Sequence, residues 1–316
     1  MPWNEDDTSR PPERVFTASV VALWAAVVIV AVGAVAAAVI VRDELRETTP
    51  WAQDVPLEGA NALAGGDEAH SALRIAGSGS NLPLTHELVE AFLRRRPDVQ
   101  VIVFESIGTT GGITAVSDGV IDLGLASRPL RPKEEALGLV VIPYAQVAVT
   151  VAVNLGVADD GITHRELVDL YAGRRRSWSD GSPAVVLLRE RGDSSHLVFE
   201  ERWDDFKAAV DDAHRAGRWR VLFEDRALHE ALVSTPGGVG LFDLGSTRAQ
   251  GLALKALAVD GYPPTEENIR AGRYPFVKEL SFVSAEQPTG LAAEFLEFVR
   301  SSDGQTILRE RGYLPP

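Results

Sequence analysis

Residues 73–96 carry three consecutive patterns: a short apolar run, a loop rich in glycine and serine, and apolar residues at helical spacing. They predict a strand, a tight turn and a helix. Glycines in such a turn let backbone N–H groups approach a ligand, and the helix start adds roughly half a positive charge. The segment suits a small anion, although a loop of this kind is by itself an ordinary turn.

Strand and helix patterns alternate through the rest of the chain, which predicts an α/β fold. Leu84, Leu88, Ala91 and Phe92 share one face of the first helix, which Pro97 ends. Thr163 and Glu166 have the spacing of a helix capping box. Apolar runs predict the buried strands of a largely parallel sheet at residues 99–104, 120–126, 139–143, 147–153 and 184–188.

Two lobes are expected, with a hinge between them. The chain crosses into the second lobe near residues 151–156, where Asn154 ends an apolar run. It returns after the glycines of residues 237–240. This gives a first lobe of residues 71–150 and about 240–316, and a second lobe of about 151–239.

Three further loops offer groups that bind anions. Gly108-Thr-Thr-Gly-Gly112 precedes a helical pattern, and Ser127 and Arg128 follow a strand. In the third loop, Arg189 supplies a planar fork of donors, and Asp193, Ser194 and Ser195 come just before a helix. Each loop also has a plain interpretation, with the arginines on the surface and Asp193 as a helix cap.

The chain from Leu73 to Pro315 resembles PstS-like phosphate-binding proteins of the type II solute-binding superfamily. Further matching segments are Trp178-Ser-Asp180, Gly272-Arg-Tyr-Pro275 and Gly312-Tyr-Leu-Pro315. The resemblance implies the two-lobed type II periplasmic-binding-protein fold and a bound phosphate. The residues expected at the ligand are Gly79, Ser80, Asn81, Leu82, Thr109, Thr110, Ser127, Arg189, Asp193, Ser194 and Ser195.

Two positions depart from the family pattern. Ser127 stands where many members carry the aspartate that accepts the phosphate proton, and Asp193 stands where a serine is usual. Either the acceptor has moved across the pocket, or the site no longer prefers phosphate. A carboxylate facing the ligand would favour an anion that carries a proton, such as monohydrogen phosphate, over sulfate.

Residues 15–41 contain no charged side chain, and this run exceeds the roughly 20 residues that span a bilayer. It predicts an uncleaved transmembrane anchor. The alternative is a signal peptide cleaved after Ala34-Val-Ala36, but the run is longer than the usual signal core. Residues 42–70, with Gly65 and Gly66, predict a flexible linker.

The arginines that flank the apolar run do not orient it, because Arg10 and Arg14 are matched by Arg42 and Arg46. The family resemblance places residues 1–14 in the cytoplasm as a short tail. The expected location is therefore the plasma membrane, crossed once, with the soluble domain on the extracytoplasmic side.

Several function classes are disfavoured. A formal net charge of −14 argues against binding nucleic acid. The chain has no cysteine and no P-loop, G-x-S-x-G or H-E-x-x-H motif. Of the six histidines only His196 lies near the proposed pocket, and none has metal-ligand spacing. We therefore expect no enzyme activity, no cofactor and no metal site.

The expected function is binding of phosphate or a similar small oxyanion for ABC-type uptake, with permease subunits as partners. The alternative is a sensor or scaffold that keeps the fold and has an altered or lost pocket. In that case Arg189 would point to solvent, and the loops at Gly77 and Gly108 would not converge.

Overall fold

The computed structural model describes residues 72–316. The predicted tail, anchor and linker lie outside these residues. Within the described part, no helix has the length and apolar character needed to cross a membrane.

The described chain alternates strands and helices, as the sequence predicts. The strands are β1 (Ala72–Gly77), β2 (Gln100–Val103), β3 (Leu123–Ala126), β4 (Val140–Asn154), β5 (Gly161–Ile162), β6 (Val185–Arg189), β7 (Arg220–Leu222), β8 (Gly238–Asp243), β9 (Leu254–Val259) and β10 (Val277–Ser284). The helices are α1 (Leu82–Arg95), α2 (Gly108–Ser117), α3 (Pro132–Glu135), α4 (His164–Tyr171), α5 (Ser194–Glu200), α6 (Asp204–Ala216), α7 (Asp225–Ser234), α8 (Leu244–Ala249), α9 (Glu266–Arg270), α10 (Gly290–Arg300) and α11 (Ser302–Glu310).

Hydrogen bonds join the strands in the order β2-β1-β3-β10-β4-β8-β6-β7, and β9 pairs with both β4 and β5. Strand β1 is parallel to β2 and β3, and β6 is parallel to β7 and β8. Strand β10 inserts antiparallel between β3 and β4, and β8 and β9 are antiparallel to β4. The sheet is therefore mixed, and the prediction of a largely parallel sheet was wrong.

Strand β4 connects the two lobes. The sequence predicted separate strands at 139–143 and 147–153, but they form one strand of 15 residues. Residues 140–148 pair with β10, whereas residues 149–154 pair with β8 and β9. A single strand thus contributes to both halves of the molecule.

Each lobe has its own hydrophobic core. The first packs α1, α10 and α11 on the sheet around Phe92, Phe282 and Phe295. The second packs α4, α5 and α6 around β4, β6 and β8, and it extends along the chain to Phe276. After β8, Gly245 of α8 lies against Tyr313 of the first core, whereas β9 pairs with the second half of β4. The chain joins the sheet of the first lobe at β10.

Local sequence signals explain the helix ends near the site. The predicted apolar face of α1 is buried, and α1 ends two residues before Pro97. The capping box of α4 forms as predicted, because the Glu166 amide donates to Thr163 Oγ1 and the Thr163 amide donates to Glu166 Oε2.

Glycines let α2 lie directly on β1 and β3. A Cβ at Gly112 would lie 2.8 Å from the Gly77 Cα and 3.1 Å from the Ala76 carbonyl oxygen. A Cβ at Gly77 would lie 2.3 Å from the Leu125 carbonyl oxygen, and its φ of +146° also favours glycine. This close packing sets the position of the loop that begins α2.

We expect Gly112→Ala to lower the free energy of unfolding by about 1–3 kcal/mol, because the added methyl group meets backbone that cannot move aside. Gly111→Ala is the matched control, since its Cβ would meet only the Ile107 side chain. Urea unfolding measures both. Equal stabilities of the two variants would contradict this account of the packing.

Candidate functional site

Loops at the carboxyl ends of five strands line one cleft of about 470 Å³ between the lobes. The loops after β1, β2 and β3 form one wall, and those after β6 and β7 form the other. The carboxyl ends of neighbouring parallel strands lie at the same edge of a sheet, which explains why the loops meet within each wall.

The loops of the first wall are tied together. The Ile107 amide and the Ser106 hydroxyl donate to the Gly77 carbonyl oxygen at 3.0 and 3.3 Å. Ser78 Oγ lies 2.8 Å from Ser127 Oγ, and Thr109 Oγ1 lies 3.4 Å from the same atom. The loops that carry Gly77 and Gly108 therefore converge.

Two helices begin at this wall without a side-chain cap. Neither Asn81, before α1, nor Ile107, before α2, caps its helix with its side chain. The first amides of a helix have no partner within the helix and carry partial positive charge. At α1 the Asn81 and Leu82 amides already donate to the Ser78 and Gly79 carbonyl oxygens, and Pro83 has no N–H. Of the two helix starts, that of α2 is therefore the one placed to donate hydrogen bonds to an anion.

Arg189 ends β6 in the opposite wall, and its side chain is only 6% exposed. It donates to both oxygens of Glu190, at 2.8 and 3.0 Å, and also to Asp225. Its Nη2 lies 3.6 Å from Asp193 Oδ2. Burial alone would lower the pKa of Arg189, but these carboxylates raise it above the ordinary value. The guanidinium is therefore charged and held in a fixed orientation.

Asp193 caps α5. Its Oδ1 accepts from the amides of Ser195 and His196, both at 3.1 Å, and from His196 Nδ1 at 3.2 Å. Burial alone would raise the pKa of Asp193, but the His196 hydrogen bond and the Arg189 charge hold it well below the ordinary value. The carboxylate is ionised, and its second oxygen is the one nearest Arg189.

The two walls touch each other. Ser127 Oγ donates to Ser194 Oγ at 2.9 Å. The Asp225 carboxylate reaches the β1–α1 loop so closely that a Cβ at Gly79 would lie 2.2 Å from its Oδ2. The structure therefore shows the lobes closed over the cleft, and Gly79 leaves the space that Asp225 occupies.

A buried lysine that the sequence analysis missed lies under the cleft. Lys278 Nζ donates to Ser80 Oγ at 2.8 Å and to Ser195 Oγ at 3.1 Å, and it lies 3.6 Å from Asp243 Oδ2. Burial raises the pKa of Asp243, while the Lys278 charge opposes that rise. The alternation of β10 could have revealed Lys278, since it shares a buried face with Leu280 and Phe282.

Most of the sequence-predicted site residues line the cleft: Gly79, Ser80, Thr109, Thr110, Ser127, Arg189, Asp193 and Ser194. Three do not line it. The buried Asn81 amide donates to the Ala126 carbonyl oxygen and to the Tyr144 hydroxyl, and Leu82 packs on the first core. Ser195 lies behind the wall, on Lys278. Two acidic residues of the cleft, Glu190 and Asp225, were also not predicted from the sequence, because isolated acidic residues form no motif.

Arg128 is part of the wall rather than a surface charge. It forms a bidentate ion pair with Glu134 at 2.7 and 2.8 Å, and it donates to Thr110 Oγ1 at 2.9 Å. Within residues 72–316 no cluster of His, Asp and Glu side chains is suited to hold a metal ion. The cleft instead combines hydroxyl donors, a helix start and a buried guanidinium, which suits a small oxyanion.

This fold and this cleft define a two-lobed solute-binding protein. A family model described as a PBP superfamily domain matches residues 62–303. The phosphate-binding protein PstS of Staphylococcus saprophyticus is 33% identical over 255 residues, which cover 77% of this chain and 78% of that protein. PstS of Bacillus subtilis is 29% identical over 263 residues, which cover 81% and 84%. The chain belongs to the PBP superfamily and, within it, to the PstS-like type II periplasmic binding proteins.

Solved structures show the same fold. A phosphate ABC transporter substrate-binding protein from Clostridium perfringens, solved with bound phosphate, matches with a TM-score of 0.67 at 22% identity, covering 78% of this chain and 99% of that one. The periplasmic molybdate-binding protein of Azotobacter vinelandii matches with a TM-score of 0.55 at 13% identity, covering 77% and 99%. The relatives are transport receptors and binding proteins, which confirms the prediction that this chain is not an enzyme.

We expect Asp193→Asn to lower the stability of the protein at pH 7, because Asn keeps the cap but loses the attraction to Arg189 and His196. A carboxylate with a depressed folded-state pKa stabilises the fold above its unfolded-state pKa, 3.8. That contribution is lost as the pH falls through the folded-state value. The stability difference should therefore shrink only below about pH 4.

Urea unfolding of wild type and variant from pH 7 to about pH 2 measures this difference. Asp98→Asn serves as the control, because Asp98 forms an exposed ion pair with Arg96 and its loss should change stability little at any pH. A difference between wild type and Asp193→Asn that is independent of pH would contradict the ionic role.

Proposed function

We propose that this chain binds inorganic phosphate, or a similar small tetrahedral oxyanion, in the cleft between its lobes. The observation that carries the proposal is the convergence of donors from both lobes on one closed cleft, with the buried Arg189 in its wall. Relatives that match over most of their length are phosphate-binding proteins, and this supports phosphate as the ligand.

The donors have distinct tasks. The start of α2 offers backbone amides, and Ser80, Thr109 and Ser194 offer hydroxyls from both walls. Arg189 is the buried cation of the second wall, and three carboxylates contact it, so this group carries no net positive charge. Its contribution is the fixed direction of its N–H groups, because the side chain is already oriented before the anion binds.

The acidic surface does not prevent binding. A net charge of −14 repels anions at long range, but salt screens that repulsion beyond about 8 Å. Inside the cleft, charge-assisted hydrogen bonds contribute roughly 1.5–3 kcal/mol each. A dissociation constant of 1 μM corresponds to about 8 kcal/mol, so a few such bonds are sufficient.

Delivery of the ligand to the permease of an ABC transporter fits the family. The alternative, a sensor or scaffold with a lost pocket, required Arg189 to point to solvent and the Gly77 and Gly108 loops to lie apart. Arg189 is instead buried, and the Ile107 amide reaches the Gly77 carbonyl oxygen at 3.0 Å. These contacts favour an intact binding cleft.

For the N-terminal region we propose a cytoplasmic tail (1–14), a transmembrane anchor (15–41) and a flexible linker (42–70) that holds the domain at the outer face of the plasma membrane. The support is the 15–41 run without charged residues. N-terminal sequencing of the protein from membranes should read from the first residues. A start near residue 37 would show that the segment is a cleaved signal peptide.

We expect isothermal titration calorimetry to detect phosphate binding to the wild-type domain, and Thr109→Val to weaken it about tenfold by removing one hydroxyl that faces the cleft. Thr306→Val, on the exposed side of α11, is the matched control and should bind as wild type does. The absence of heat with phosphate, sulfate, molybdate and small carboxylates would overturn the proposal.

The same titrations assign the acceptor for the phosphate proton. With sulfate, which has no proton to donate, the wild type should bind much more weakly, by as much as about 10⁴-fold. Asp193→Asn should narrow that gap, because the amide can donate to sulfate. If the ratio of phosphate to sulfate affinity is unchanged in the variant, Asp193 caps α5 and does not accept the phosphate proton.

A further inference from the structure

Lys278 contacts hydroxyl groups of both lobes. Its side chain is 2% exposed, and its ammonium lies 2.8 Å from Ser80 Oγ in the first lobe. In the second lobe it lies 3.1 Å from Ser195 Oγ and 3.5 Å from Ser194 Oγ. Since β10 is the strand by which the chain re-enters the first lobe, Lys278 lies at the junction of the lobes.

The chemistry of these groups fixes the direction of the hydrogen bonds. A lysine ammonium has three donors and no acceptor, whereas a serine hydroxyl has one proton and two lone pairs. Ser80 and Ser194 therefore accept from Lys278 and keep their own protons for another partner. Ser194 accepts from Ser127 as well, which leaves its proton directed away from both.

Ser80 and Ser194 both line the cleft, so their hydroxyls can reach a bound ligand. We infer that Lys278 strengthens anion binding in the cleft by holding Ser80 and Ser194 as hydrogen-bond donors toward the ligand. This inference rests on the proposed function and adds a positioning residue to it. The two serines come from opposite lobes, so the donors are aligned only when the lobes are closed.

The carboxylate of Asp243 offsets part of the cost of burying the Lys278 ammonium. Its Oδ1 accepts from the Ser246 amide at 2.7 Å, and its Oδ2 lies 3.6 Å from Lys278 Nζ without a hydrogen-bond partner among the described residues. The pair is buried on all sides, so salt cannot screen it effectively. Removing Lys278 alone would leave Asp243 as an uncompensated buried charge, which can unfold a protein.

The test therefore removes both charges together, in Lys278→Met/Asp243→Asn, where Asn can still cap α8. Calorimetry should show phosphate binding at least tenfold weaker than in the wild type. Circular dichroism and thermal melting without ligand establish that the variant is folded. The matched control is Lys255→Met/Asp160→Asn, which removes a partly exposed ion pair of the second lobe away from the cleft, and its affinity should be unchanged.

Ser80→Ala distinguishes positioning from general support of the fold. We expect it to weaken phosphate binding about tenfold in the wild type and less than about threefold in Lys278→Met/Asp243→Asn, because the hydroxyl is no longer held as a donor there. Should that background not fold, Lys278→Leu/Asp243→Ser takes its place with the same expectation, because Leu offers Ser80 no donor and Ser can still cap α8.

The outcomes separate the two claims. If the wild type binds no phosphate, the proposed function fails, and the role of Lys278 fails with it. If the wild type binds phosphate and Ser80→Ala costs the same factor in both backgrounds, the role of Lys278 is overturned while the proposed function stands. If Lys278→Met/Asp243→Asn binds phosphate as tightly as the wild type does, the role of Lys278 is likewise overturned while the proposed function stands.

Discussion

The pairing of β4 with β10 is the constraint on which the arrangement of the two lobes depends. Strand β10 pairs with residues 140–148 of β4, and residues 149–154 of β4 continue into the second lobe. Both crossings between the lobes therefore lie side by side in one sheet. The cleft lies beside this junction, so the pairing of the two strands fixes the distance between its two walls.

Three positive side chains at the cleft are paired with carboxylates, so the cleft has no excess of positive residues. Arg189 contacts Glu190, Asp193 and Asp225, Arg128 pairs with Glu134, and Lys278 faces Asp243. Each buried cation thus has a carboxylate, which limits the cost of desolvation. Anion binding then depends on the direction of donors, and this explains how a protein with a net charge of −14 can hold such a site.

Local patterns predicted the α/β class, the α1 face, the α4 capping box and the convergence of the four loops. They could not predict that β10 lies between β3 and β4, or that β8 and β9 stay in the second lobe, because strand order depends on contacts distant in sequence. The same limit applies to Asp225. Nothing near residue 225 indicates that its carboxylate reaches Arg189 and Gly79, whereas Lys278 was detectable in the alternation of its own strand.

The structure shows where Ser127 and Asp193 lie, the two positions expected from the resemblance to depart from the family pattern. Ser127 lies in the first wall and donates to Ser194, the residue next to Asp193 in the second wall. Ser127 and Asp193 thus lie on opposite walls of the closed cleft, in different lobes. In this chain the carboxylate belongs to the wall that carries Arg189, so its negative charge is compensated within its own lobe even when the cleft is open.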